Sequence, residues 1–274
     1  MDITTDDGVA LHTEVRGSGP PVVLVHGITE SSEAWGPFVD RLAVDRTVLT
    51  VDLRGHGRSG DGDDRSTQRL ATDVHDAVVA AGLDTVDVIG HSLGGMVAAT
   101  YGALFEPRRV VVVDQPLALS GFRDQLLGAE DMLRGDGFAA FMAAMFDEMS
   151  GPLDEVEGRR LTELRRPVQD VVLGIWAPVL EGPVEDLDAL VEQIGSMISA
   201  PLLSLHGIDP GPEYAAWLTG LVPSAEVEIW ADHGHYPPLV DPDRFLNRIE
   251  EFLADCARAA STLVAHRVER VLRS

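Results

Sequence analysis

The chain has 274 residues, an apolar share of 45% and a formal net charge of −24, from 21 basic against 45 acidic side chains. That size and composition suit one large α/β domain with an insertion and supply a full core. So acidic a surface repels nucleic acid and anionic lipid, which excludes both as expected partners.

Met1 to Asp7 is acidic and lacks the apolar segment of a signal peptide, so a cytoplasmic protein is expected. Asp6-Asp7-Gly8 is a turn signal between Ile3-Thr4-Thr5 and Val9 to Val15, an opening hairpin. Val22 to Val25 is a short apolar run of the kind found in strands buried on both faces, and it ends at His26-Gly27. A helix is expected from Ser32 through Leu42. The next strand, Thr47 to Val51, ends at Asp52 and leads into the loop Arg54 to Gly60. Ser66 to Ala81 reads as a helix closed by Gly82, with Leu70, Val74 and Val78 at fourfold spacing. Val86 to Ile89 and Val110 to Val113 are two further buried strands, the second ending at Asp114. Leu202 to Leu205 and Val227 to Trp230 are two more. Strands alternating with helices imply βαβ units and a mainly parallel sheet.

The stretch between Asp114 and Pro201 is too long for a plain connection and must carry structure of its own. It contains helix-like segments at Gly137 to Met149, Glu157 to Leu164 and Val184 to Ile198, and no strand signal strong enough to join the sheet. The expected organisation is a core of residues 1–114 and 201–274 interrupted by a helical cap over 115–200. After Leu253, apolar residues recur every three to four positions through Val271, so the last helix is expected to extend to about Leu272.

Gly90-His91-Ser92-Leu93-Gly94 fits G-x-S-x-G between a strand and a helix, the context of a nucleophile elbow. Such a turn lifts the serine hydroxyl out of the sheet. Four blocks in register extend the pattern. They are His26-Gly27, Asp52-Leu53-Arg54-Gly55-His56-Gly57-Arg58-Ser59, the elbow with Gly95, and Gly234-His235-Tyr236-Pro237. Together they resemble the α/β-hydrolase fold family over roughly Val9 to Leu253. The resemblance implies a mostly parallel, doubly wound α/β sheet of the α/β-hydrolase type with an inserted helical cap.

It also implies roles. Ser92 is the expected nucleophile and His235 its base, preferred to His233 by its spacing before Pro237. Asp209 is the expected acid, in a loop that looks one residue short of the family pattern. Asp114 is the alternative, since some members take the acid from the strand before the cap. The oxyanion would be held by the backbone N–H groups of Leu93 and Ile28. His26 is expected to shape its turn, and Arg54 to tie down backbone carbonyls. The cap face carrying Met142, Met145 and Phe146, together with Trp176 and Trp35, is expected to line an apolar substrate pocket, although six arginines in the insertion leave an anionic substrate open.

Cys256 is the sole cysteine, so no internal disulfide or cysteine-based metal site is expected. No metal pattern, dinucleotide fingerprint or phosphate loop is found, so no cofactor is expected. The implied activity is a serine hydrolase acting on a small, partly apolar ester or lactone through an acyl-enzyme, as a monomer or homodimer. A perhydrolase or haloperoxidase, or a carbon–carbon bond hydrolase, would use the same three residues. A hydroxynitrile lyase and a non-catalytic ligand receptor are further readings of the fold. Serine rather than aspartate at position 92 argues against epoxide hydrolase and haloalkane dehalogenase chemistry.

Overall fold

A computed structural model describes residues 2–254. Eight strands form one sheet: β1 (Asp2–Thr4), β2 (Ala10–Gly17), β3 (Pro21–Val25), β4 (Thr47–Val51), β5 (Asp87–His91), β6 (Arg109–Val113), β7 (Leu202–His206) and β8 (Ala225–Ile229). Their spatial order is β1-β2-β4-β3-β5-β6-β7-β8. The first two are antiparallel to their neighbours, and β3 to β8 run parallel.

Alternation along the strands divides the core in two. Val23 and Val25, Val110 and Val112 face one side of the sheet. Val22 and Leu24, Val111 and Val113 face the other. With both faces covered, β5, β6 and β7 are buried throughout, which is why they read as unbroken apolar runs. The helices outside the insertion are α1 (Phe38–Leu42), α2 (Thr67–Ala80), α3 (Leu93–Leu104), α10 (Tyr214–Leu221) and α11 (Pro237–Val240), and residues 242–254 are helical as well. The chain moves outward from β3 to β4, then crosses back past β3 to β5. The strand order therefore reverses between β3 and β5, and their C-terminal ends border the crevice where ligands bind in open α/β sheets.

Two segments depart from expectation. The helix expected over 32–42 is a short 3-10 turn, Ser32–Trp35, followed by α1. Gly36 takes a positive φ of 52° and Pro37 has no N–H to continue the first turn, so the two cannot share one helix. The insertion forms α4 (Ser120–Gly128), α5 (Glu130–Arg134), α6 (Phe138–Met149), α7 (Glu155–Leu164), α8 (Gln169–Glu181) and α9 (Val184–Met197). Of these, α8 buries Val171, Val172, Ile175, Trp176, Val179 and Leu180 along one face, but Pro178 inside it conceals it in the sequence. The expected extension toward Leu272 lies outside the described residues. Among the described residues, no helix is long and apolar enough to cross a membrane.

Candidate active site

Ser92 stands between β5 and α3 with φ 53° and ψ −125°. This left-handed conformation is strained for a serine and persists only where the surroundings impose it. They do so by close backbone approach. A Cβ on Gly90 would meet the Gly94 carbonyl oxygen at 1.8 Å, and one on Gly94 would meet the Val25 oxygen at 2.1 Å. The Ser92 N–H is held by the Val113 carbonyl at 2.9 Å. Leu93 opens α3, so its N–H belongs to the first-turn donors that have no intrahelical acceptor.

The loop after β3 lies against this bend. A Cβ on Gly27 would sit 3.3 Å from the Ser92 Cβ. Ile28, next in sequence, lines the same cavity as Ser92 and Leu93. His26 is buried and braces the loop. Its Nδ1 donates to the Gly27 carbonyl at 2.7 Å, and its Nε2 accepts from the Leu53 N–H at 3.0 Å. Arg54 is fully buried. It makes two hydrogen bonds to Asp73, at 2.6 and 2.8 Å, and reaches Asp7 and the Asp64 carbonyl. Carboxylates rather than carbonyls are thus its main partners, because a buried guanidinium needs opposite charge.

The structure brings Asp114, not Asp209, to His235. The His235 Nδ1 donates to Oδ2 of Asp114 at 2.6 Å. Asp114 Oδ1 accepts from the Gly207 and Ile208 N–H groups, at 2.7 and 2.9 Å. Asp114 ends β6 with φ 47°, a turn that aims its side chain across the end of β7. Asp209 is exposed at the cavity wall, where its carboxylate accepts from the Gly211 N–H at 2.8 Å. The imidazole Nδ1 it was expected to meet is bonded to Asp114 instead. His233 is a loop residue whose Nδ1 donates to the Ala231 carbonyl at 3.2 Å.

Burial pushes the His235 imidazole below its ordinary pKa, against the pull of Asp114. Burial would raise the Asp114 carboxyl, but the His235 bond and the two backbone donors outweigh it and hold it down. Near neutral pH this pairs a neutral imidazole with an ionised carboxylate. With Nδ1 committed to Asp114, Nε2 is the nitrogen left to take a proton; it is buried and has no partner among the described residues.

Ser92, Asp114 and His235 share a cavity of about 560 Å³. Its far wall is apolar and comes from the insertion: Met145, Phe146, Met149, Ile175, Trp176 and Val179. Two residues expected there lie elsewhere. Met142 is buried on α6 without lining the cavity, and Trp35 packs against Phe38 and His91. Among the described residues, no arginine lines the cavity, and no group of three or more His, Cys, Asp or Glu side chains is placed to hold a metal ion. Sequence reasoning missed Glu30, His91, Tyr236 and Arg165, which form a buried polar cluster behind the imidazole. An acid so close to the His26-Gly27 turn was the available signal.

The sequence model of the alpha/beta hydrolase family matches residues 22–248. The chain belongs to this family. A pimeloyl-[acyl-carrier protein] methyl ester esterase from Vibrio parahaemolyticus is 28% identical over 268 residues, covering 89% of this chain and 98% of that protein. Among solved structures, a thermophilic esterase from Thermogutta terrifontis superposes with a TM-score of 0.73 at 23% identity, covering 93% and 98% of the two chains. The enol-lactonase from Burkholderia xenovorans does so with a TM-score of 0.70 at 20% identity, covering 93% and 100%. These two structures share the fold. The relatives are hydrolases.

Proposed function

We propose that the protein is a serine hydrolase of uncharged carboxylic esters or lactones, with Ser92 as nucleophile, His235 as base and Asp114 as acid. The observation that carries this reading is the 2.6 Å bond from His235 Nδ1 to Asp114, in a cavity that also holds Ser92 on its strained bend. A free serine hydroxyl is a weak nucleophile and needs a base to take its proton as it attacks. In the proposed cycle Oγ of Ser92 attacks the substrate carbonyl and its proton passes to Nε2 of His235. The imidazolium then protonates the departing alcohol. Water attacks the acyl-enzyme, giving its proton to the same nitrogen, which returns it to the Ser92 oxygen as the acid leaves. The Leu93 and Ile28 N–H groups would receive the negative oxygen, each worth about 2.7–4 kcal/mol to the transition state.

The cavity wall supports an uncharged substrate. Among the described residues, its only full charges are the carboxylates of Asp114 and Asp209. None of the six arginines of the insertion lines it: Arg123 bonds the Val179 carbonyl, Arg134 pairs with Glu130 and Glu181, Arg159 with Glu155, Arg160 with Glu157, Arg165 bonds Tyr236, and Arg166 the Glu163 carbonyl. A substrate carboxylate would lose hydration there and gain no cation. Methionine and aromatic walls adapt to varied apolar shapes.

A panel of p-nitrophenyl esters and lactones, each offered in neutral and carboxylate-bearing forms, tests the proposal. Neutral members should turn over, the esters with burst release of p-nitrophenol, and Ser92→Ala should abolish the burst and the lactone ring opening. A burst that survives Ser92→Ala would overturn the nucleophile. A preference for the carboxylate-bearing members would overturn the substrate class.

A further inference from the structure

Glu30 lies two residues beyond Ile28, with 2% of its surface exposed. A carboxylate so far from water is costly unless partnered. Its partners are the sequence neighbours of the two residues that would exchange the proton. Oε1 accepts a 2.8 Å hydrogen bond from the hydroxyl of Tyr236, which follows His235. Oε2 lies 3.8 Å from Nδ1 of His91, which precedes Ser92. The other ring nitrogen of His91 donates to the His235 carbonyl at 2.7 Å. One buried carboxylate is therefore hydrogen-bonded to one flank of the site and within ion-pair distance of the other, and His91 closes the loop between them.

The cap holds the same cluster from the other side. Arg165, just past α7, donates to the Tyr236 hydroxyl at 2.6 Å and approaches Glu30 Oε1 at 3.9 Å. Its guanidinium lies 4.0 Å over the ring of Phe146, which lines the cavity. The Met149 carbonyl at the end of α6 accepts the His235 N–H at 2.8 Å. Gly151 and Gly234 pack so tightly that a Cβ on Gly234 would sit 2.8 Å from the Gly151 Cα. Burial would raise the Glu30 carboxyl, but His91 and Arg165 outweigh it and hold it at about 2, so it stays ionised at neutral pH.

We propose that Glu30 is a positioning residue that keeps the His235 imidazole in register with the Ser92 bend, and that Tyr236 and Arg165 link this alignment to seating of the cap. The inference rests on the Ser92–His235–Asp114 reading. The groups facing His235 are Asp114 from the end of β6, Ser92 and His91 from the elbow, Tyr236 from its own loop and Glu30 from the loop after β3. The Glu30 charge, with Asp114, favours the protonated imidazole, while His91 opposes it.

The test is the rate at which a short-chain alkyl fluorophosphonate labels Ser92, followed by intact mass across pH. Glu30→Gln, which keeps the shape and loses the charge, should slow labelling about 10- to 100-fold, the loss typical of a charged hydrogen bond. It should also move the acid limb of the pH profile to lower pH, because the charge that favours imidazolium is gone. A defect of packing alone lowers the plateau and leaves the midpoint in place. Tyr236→Phe should slow labelling about tenfold, and the double variant should be no slower than Glu30→Gln, since the two act as one unit. If Glu30→Gln does not fold, as read by thermal melting, Tyr236→Phe decides by itself, and a wild-type rate there overturns the proposal. A wild-type rate and midpoint in folded Glu30→Gln overturn it too. Wild-type protein that never labels at Ser92 would overturn the reading of the site, and this proposal with it.

Discussion

Asp114 is the side chain on which the geometry of the site turns. It accepts three hydrogen bonds, two from backbone and one from His235, and takes a left-handed φ to do so. A carboxylate in this position would fix the imidazole tautomer and stabilise the imidazolium. Asp114→Asn keeps the shape but presents the wrong tautomer, so turnover should fall about 10⁴-fold with an unchanged circular dichroism spectrum. Asp209→Asn should stay within about twofold of wild type, because its carboxylate serves only a turn. Steady-state kinetics on any ester the protein hydrolyses reads both, and the opposite ranking would return the acid to position 209. The serine and both candidate acids were legible as residue types at the ends of apolar runs. The choice between the acids was not, because it depends on where two loops cross over β7. The family resemblance favours the aspartate after His206-Gly207, whereas the fold brings Asp114 to His235.

Among the elements, the β5–α3 bend is specified most strongly, because two backbones come within contact distance of its glycines. Gly94→Ala would drive a Cβ to 2.1 Å from the Val25 oxygen, which is backbone and cannot rotate aside. Either α3 or the loop after β3 must move, so a loss of about 3 kcal/mol or more is expected in chemical unfolding. Ser92 labelling should fail in whatever folded fraction remains. Gly158→Ala is the contrasting case. It lies inside α7 with nothing within 4 Å of an added Cβ, so it should stabilise by about 0.5–1 kcal/mol through chain entropy. Equal effects at the two positions would contradict this account of the elbow. Strands such as β3, β6 and β7 were legible because burial on both faces leaves a continuous apolar run. The break at Gly36-Pro37 was legible only in retrospect, and α8 hardly at all, since Pro178 lies inside its apolar pattern and a proline there reads as a helix end.

For the molecule as a whole, acid acts in two opposed directions. Lowering the pH toward the isoelectric point near 4.5 relieves the repulsion of a chain carrying −24, which favours the compact state. Buried histidines act the other way. Burial holds the imidazoles of His56 and His206 down at about 4, and lowers those of His26 and His235 as well. Unfolded, these rings titrate near the ordinary value of about 6.5. The unfolded chain therefore binds more protons below that pH. The stability contributed by the neutral buried rings is complete above about 6.5 and is lost as the pH falls toward 4. Each tenfold loss of proton affinity on folding is worth about 1.4 kcal/mol, so His56 and His206 each withdraw about 3 kcal/mol. That is a large share of a domain stability of about 5–15 kcal/mol, and surface repulsion screened within about 10 Å should not match it. The unfolding free energy in guanidinium should therefore rise with pH between 4 and 6.5. The slope should persist in 0.5 M salt, roughly the range where surface charge is well screened, because buried rings are screened far less. His56→Gln removes one titrating ring and should flatten the slope. A stability that is level or falls with rising pH in this window, in both salts, would show that charge relief outweighs the buried imidazoles.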